Sequence, residues 1–208
     1  MSSQINIYHS VHTALKMVAF TFDDGPNPQY TPEVLDIFNE CNGKATFFMI
    51  GEKMKEYPDI VSDVVLKDHE IGNHTWSHPM LTQLNQEKCR EELELTHSII
   101  MELTGSTPAI FRPPFFDYNE EVNSVVMDFN YDVIGALNPD ATDWEMPGVE
   151  HIISKSRNHI GNGSILLFHD GFGDRSQTVE AVRTLVQEVL SDGYQLVTIS
   201  ELLKSARK

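Results

Sequence analysis

Seven short runs of β-forming residues, at 17–20, 44–50, 70–73, 110–112, 131–134, 165–168 and 195–197, recur along the chain, and stretches with helical spacing separate them. That alternation constrains the fold more than any other feature. Parallel strands need long crossovers, usually helical, so the repetition predicts a parallel α/β sheet or barrel in a single domain. Thr31-Pro32-Glu33 reads as a helix start, with Thr as N-cap and Pro at the first helical position, and Asn42-Gly43 closes that helix. Further helices are expected over residues 60–66, 86–103, 119–129, 149–159 and 178–190, and from residue 200. Residues 1–16 show no period and read as a polar lead-in with His9 and His12 at its surface, so the domain is expected over 17–208.

Reactive groups in such folds collect at the carboxyl ends of the strands. Here those ends carry Asp23 and Asp24, then His74 and His78, then Arg112, then Asp143 and Trp144, then His169 and Asp170. The first is the most abrupt, because Met17-Val18-Ala19-Phe20 runs into Thr21-Phe22-Asp23-Asp24-Gly25-Pro26 and the Gly-Pro turn stops the strand. Adjacent aspartates repel, so a fold that keeps both ionised needs a cation or an arginine beside them. In His74-Thr75-Trp76-Ser77-His78 the two imidazoles share a face if the segment is a turn of helix. Two histidines and one carboxylate leave coordination positions open for water and substrate. One divalent ion is expected, zinc first, with cobalt, nickel, manganese or iron as alternatives. His69, His97, His151 and His159 match no motif and are assigned structural roles, and Asp170 is expected to cap the loop after it.

Composition narrows the partners. With 15 basic and 31 acidic residues the formal net charge is −16, which argues against nucleic acid or an anionic membrane and for a neutral or basic substrate. No stretch approaches the roughly 20 apolar residues of a membrane helix. Residues 1–16 lack a basic segment followed by an apolar core, so the expectation is a cytoplasmic protein or one whose targeting segment lies outside this chain. Cys41 and Cys89 are expected to be free thiols.

Five ordered motifs resemble the polysaccharide deacetylases, the NodB-homology family of carbohydrate esterases. They are Thr-Phe-Asp-Asp-Gly-Pro at 21–26, His-Thr-Trp-Ser-His at 74–78, Arg-Pro-Pro-Phe at 112–115, Asp143-Trp144, and Ile165-x-Leu167-x-His169. The resemblance implies a distorted (β/α) barrel of about seven parallel strands, with Asp24, His74 and His78 holding the metal. It implies Asp23 as general base toward a water the ion makes more acidic, and His169 as general acid. Arg112 would keep Asp23 charged and oriented, and Asp143 would do the same for His169. The N–H of Phe115 would help hold the oxyanion, while Trp144 and Leu167 would line the acetyl pocket.

The third motif departs from the Arg-x-Pro-Tyr-Gly common in the family, continuing instead as Phe115-Phe116-Asp117. On that ground the expectation leans to O-acetyl hydrolysis of acetylated xylan, with N-deacetylation of chitin or peptidoglycan as the alternative. Trp76, Phe115, Phe116 and Tyr118 are candidates for stacking on sugar rings. Two other readings compete. A metal-dependent phosphoesterase would call for a second metal or a basic clamp, and an inactive carbohydrate-binding module would fit had Asp23 or His169 been replaced.

Overall fold

All seven expected strands form in the computed structural model, which describes residues 5–206, and one more precedes them. The order is β1 (Ile7–Tyr8), β2 (Met17–Asp23), α1 (Tyr30–Glu40), β3 (Thr46–Met49), α2 (Gly51–Glu56), α3 (Pro58–Leu66) and β4 (Glu70–Asn73). There follow α4 (Gln86–Thr104), β5 (Ile110–Phe111), α5 (Glu120–Met127), β6 (Asp132–Ile134), α6 (Val149–Arg157), β7 (Ser164–His169), α7 (Ser176–Ser191), β8 (Gln195–Leu196) and α8 (Ile199–Ser205). The strands pair in parallel in the order β1-β6-β5-β4-β3-β2-β7, and β8 joins the start of β2. The two ends of that sheet meet: the Leu137 N–H donates to the Ile165 carbonyl at 3.0 Å and that of Val11 to Gly163 at 2.8 Å. A distorted barrel results, closed by a few irregular bonds rather than a full ladder.

The alternation of side chains along β2 divides the core and aims the first aspartate. Phe20 and Phe22 point outward into a layer with Phe38 of α1, Phe47 and Phe168, in ring contacts of 5.2–5.9 Å. Each such side chain, fully buried, contributes roughly 1.5–3 kcal/mol. Ala19, one residue before Phe20, faces the barrel interior with Phe48, Ile110, Ile134 and Ile165, and α8 plugs the amino end with Ile199, Leu202 and Leu203. The same period turns Thr21 and Asp23 inward, so burial of the phenylalanines delivers a carboxylate to the mouth of the barrel. Gly72 serves that interior too, since a Cβ there would lie 2.5 Å from the Phe48 ring.

Three local expectations change. Thr31 is not the N-cap of α1, which begins at Tyr30; the Asn27 side chain accepts the Gln29 and Tyr30 N–H groups, while the Thr31 hydroxyl turns inward to Asp170. The lead-in supplies β1, which pairs with β6, and Val11 is buried. Two residues of strand are too few to show a period. The short helix α2 was not expected at all. His9 and His12 are exposed as expected, and Cys41 and Cys89 are separate thiols. No helix among the described residues is long and apolar enough to cross a membrane.

Candidate metal centre and catalytic site

Asp23 ends β2 and Asp24 begins the turn at φ 73°, a left-handed conformation that aims both carboxylates at the same mouth. Arg112, which follows β5 and has no exposed surface, answers the first of them. Its Nη1 donates to Asp23 Oδ1 and Thr21 Oγ1, each at 2.7 Å. Its Nη2 donates to Gly135 O at 2.8 Å and its Nε to Ile134 O at 3.2 Å, while the guanidinium lies 4.2 Å from the Phe48 ring centroid. A buried charge is tolerable only when paired and hydrogen-bonded, and here every guanidinium nitrogen has a partner.

Asp24 meets the two histidines. Its Oδ1 lies 3.4 Å from His74 Nε2 and 3.1 Å from His78 Nε2, yet it makes no hydrogen bond. The reason is visible for His74, whose Nδ1 lies 2.7 Å from the Arg112 carbonyl and must donate to it, leaving a lone pair on Nε2 in the neutral ring. A lone pair facing an orphaned carboxylate oxygen fits a cation between them. The three donor atoms lie within 4.8 Å of one another, and among the described residues they form the one such group.

The His74–His78 segment is not a helical turn. Thr75 and His78 have φ of 66° and 62°, and the segment is an irregular loop held by side chains. Asn73 Oδ1 accepts the Thr75 N–H, and Thr75 Oγ1 accepts that of His78. Glu92, on α4, accepts both the Trp76 and Ser77 N–H groups at 2.8 Å and the Ser77 hydroxyl at 2.7 Å. These anchors bring the imidazole centroids to 5.0 Å without helical geometry. Glu92 carries no sequence signal beyond being one acid among several on α4.

Across the mouth, His169 ends β7, and its Nδ1 donates to Asp143 Oδ1 at 2.8 Å. The other oxygen of Asp143 accepts the His169 N–H and the Thr178 hydroxyl. Burial works against a charged His169, but Asp143, with Asp23 and Asp24 beyond it, more than compensates and pushes its pKa up to about 9. Leu167 is fastened by Asn138, whose side-chain amide both accepts from its N–H and donates to its carbonyl. Asp170 does not cap the following loop. Its fully buried carboxyl takes the Thr31 hydroxyl in the space left by Gly25, burial pushes its pKa up to about 7, and Asp174 caps Ser176 instead.

These residues surround a cavity of about 470 Å³. Asp23, Asp24, His74, His78, Phe115, Trp144, Leu167 and His169 all line it, with Arg112 and Asp143 directly behind. Phe116 joins the wall, as does Phe172, which had no motif to announce it. Phe115 and Phe116 stand at φ 58° and 53°, and Asp117 anchors their loop by accepting the Thr82 N–H and hydroxyl. Trp76 and Tyr118 do not reach the cavity: the first packs over Gly51 and the second against the cluster behind β5 and α5. No lysine or arginine lines it among the described residues, which leaves a phosphoesterase without its clamp.

A parallel barrel with these residues at its carboxyl end fits a carbohydrate deacetylase, a hydrolase, and the family model and the names of its relatives support that class. The chain belongs to the polysaccharide deacetylase family, whose model it matches over residues 10–134. It is 40% identical over 190 residues to a peptidoglycan-N-acetylglucosamine deacetylase of Bacillus cereus, covering 91% of this chain and 89% of that protein. It is 33% identical to a chitooligosaccharide deacetylase of Azorhizobium caulinodans, covering 86% and 90% respectively. Among solved structures, the Bc1960 peptidoglycan N-acetylglucosamine deacetylase superposes with a TM-score of 0.88 at 29% identity, covering 96% of this chain and 93% of that one. BA3943 from Bacillus anthracis, a pseudoenzyme of the same family, superposes with a TM-score of 0.84 at 30% identity over 93% and 67%. The relatives' names favour N-deacetylation over the O-acetyl xylan hydrolysis that the altered third motif had suggested.

Proposed function

We propose that the protein removes the N-acetyl group from N-acetylglucosamine residues of a neutral glycan, with a divalent ion, zinc first, at Asp24, His74 and His78. The observation that carries this reading is the Asp143–His169 pair. An amide nitrogen leaves only when protonated, whereas an ester oxygen leaves more readily without help. A histidine whose pKa is pushed up to about 9 is protonated at neutral pH and suits the harder of the two reactions. The ion, when bound, supplies Lewis acidity to water and to the acetyl carbonyl.

This chain's own groups then divide the work. Asp23, paired with Arg112, removes a proton from the attacking water. Phe115 stands in the cavity wall, and its N–H would help hold the developing oxyanion. His169 gives its proton to the nitrogen as the C–N bond breaks, so acetate and the free amine leave. Trp144 and Leu167 enclose the methyl group. The choice of N-acetylglucosamine over N-acetylmuramic acid follows the relative at 40% identity, a peptidoglycan-N-acetylglucosamine deacetylase.

The test is acetate release by chelator-treated enzyme before and after zinc or cobalt is restored. Release from an N-acetylglucosamine oligomer that depends on added metal is the expected result. Release from acetylated xylan alone would return the reading to an esterase, and release from neither would point to a binding module.

The Asp143→Asn variant gives a second check. Without the carboxylate the His169 pKa falls, so the alkaline limb of kcat/KM, expected near 9 in the parent protein, should move to lower pH. The raised pKa also stabilises the fold below about 6.5, and that contribution disappears as the pH climbs through 9. An unmoved limb in the variant would remove His169 from the role of acid.

A further inference from the structure

His74 and His78 are held in different ways. A hydrogen bond from Nδ1 to the Arg112 carbonyl sets the tilt of His74. For His78 the backbone N–H is bonded to Thr75 and Nε2 faces Asp24, but nothing among the described residues hydrogen-bonds its Nδ1. Its ring stands instead between two phenylalanines. Phe115 lies 4.6 Å away at 64° and Phe172 5.9 Å away at 65°, both T-shaped. Such contacts set the positive edge of one ring against the negative face of another and so fix a tilt without a hydrogen bond.

Both phenylalanines are placed there at some cost. Their φ values, 58° and 51°, lie in the left-handed region that a side chain disfavours, and the rings remain 63% and 46% exposed. Little core burial repays that geometry; contact with His78 does. Each ring is also supported from outside the site. Asp117 anchors the Phe115 loop, while Lys53 Nζ lies 5.9 Å from the Phe172 centroid and the buried Arg175 donates to the preceding Gly171 carbonyl at 2.7 Å.

We propose that Phe115 and Phe172 are positioning residues for the metal, an aromatic clamp that takes the place of the hydrogen-bonded partner a ligating imidazole normally has. The clamp holds His78 Nε2 toward Asp24 and His74 and covers that side of the centre. This rests on the reading that the three residues bind a divalent ion. Losing an outer partner of a ligating histidine typically weakens metal binding by about 10–100-fold.

The experiment is titration of the metal-free chain with cobalt in competition with a chelator, read by visible absorbance. Phe115→Ala should bind about tenfold more weakly than the parent and Phe172→Ala, with the longer contact, about threefold. Phe115→Tyr, which keeps the ring, should restore parental affinity and spectrum. Phe116→Ala removes an equal ring from the same wall but one without a ring contact to His78, and its cobalt affinity should not change. Parental affinity in both Phe115→Ala and Phe172→Ala overturns the clamp, as does an equal loss in Phe116→Ala. If the parent chain itself takes up no cobalt, the metal reading fails before any variant is needed. All three rings are more than a third exposed, so thermal unfolding of the metal-free variants should match the parent.

Discussion

His169→Gln should lower kcat for amide hydrolysis of an N-acetylglucosamine oligomer by about 10²–10⁴-fold, the usual contribution of a positioned general acid. The same variant should lose far less activity on an aryl acetate. An aryl oxide leaves without being protonated, whereas an amine does not, so the two substrates separate the acid's task from attack on the carbonyl. Steady-state rates on both, with metal content matched to the parent, make the comparison. Equal losses would place His169 in binding or in the hydration step rather than at the leaving nitrogen.

Arg112→Met should cost about 3–5 kcal/mol of stability, the largest effect expected from any single change here. The methionine approximates the volume, so the loss measures charge and hydrogen bonding more than packing. It strands the Asp23 carboxylate, whose Oδ1 takes the 2.7 Å contact from Nη1, and leaves Gly135 O and Ile134 O without their donors. Adding Asp23→Asn should recover part of the loss, because the uncompensated charge is then gone. Urea unfolding of the single and double variants tests this. A double variant no more stable than Arg112→Met would mean that the arginine's role is to tie β5 to the neighbouring loop, not to answer Asp23. Either variant should be almost inactive.

Spacing suggested that His74 and His78 could meet a single ion, but through a helical face that does not exist. They converge because Asn73, Thr75 and Glu92 hold a loop with two left-handed residues. Spacing in sequence cannot distinguish these routes, since the decisive acceptor, Glu92, sits on another element. Asn138 and Thr178 were illegible for the same reason. Each is an ordinary polar residue whose importance comes from facing Leu167 or Asp143 across the fold. Phe172 is a lone aromatic in a Gly-rich loop, and only the folded chain sets it beside His78. Phe116, where the family commonly has glycine, points in sequence to a change of substrate; in the fold it takes a left-handed backbone, φ 53°, and adds its ring to the cavity wall.

By itself, the sequence determined the parallel α/β class, the reactive residues and their order around one end of the fold. Local chemistry carries that information, because apolar runs, helix periods and polar residues at strand ends lie within a few neighbours of one another. Only the tertiary structure decided which carboxylate answers which cation. It paired Asp23 with a fully buried Arg112 and Asp24 with two imidazoles, although the two acids are neighbours in the chain. The alternation of β2 turns the first into the barrel while the left-handed residue after it turns the second toward the loop, and partners arriving from β5 and from the loop after β4 complete each assignment. Contacts between elements distant in sequence set those environments, and no single segment contains them.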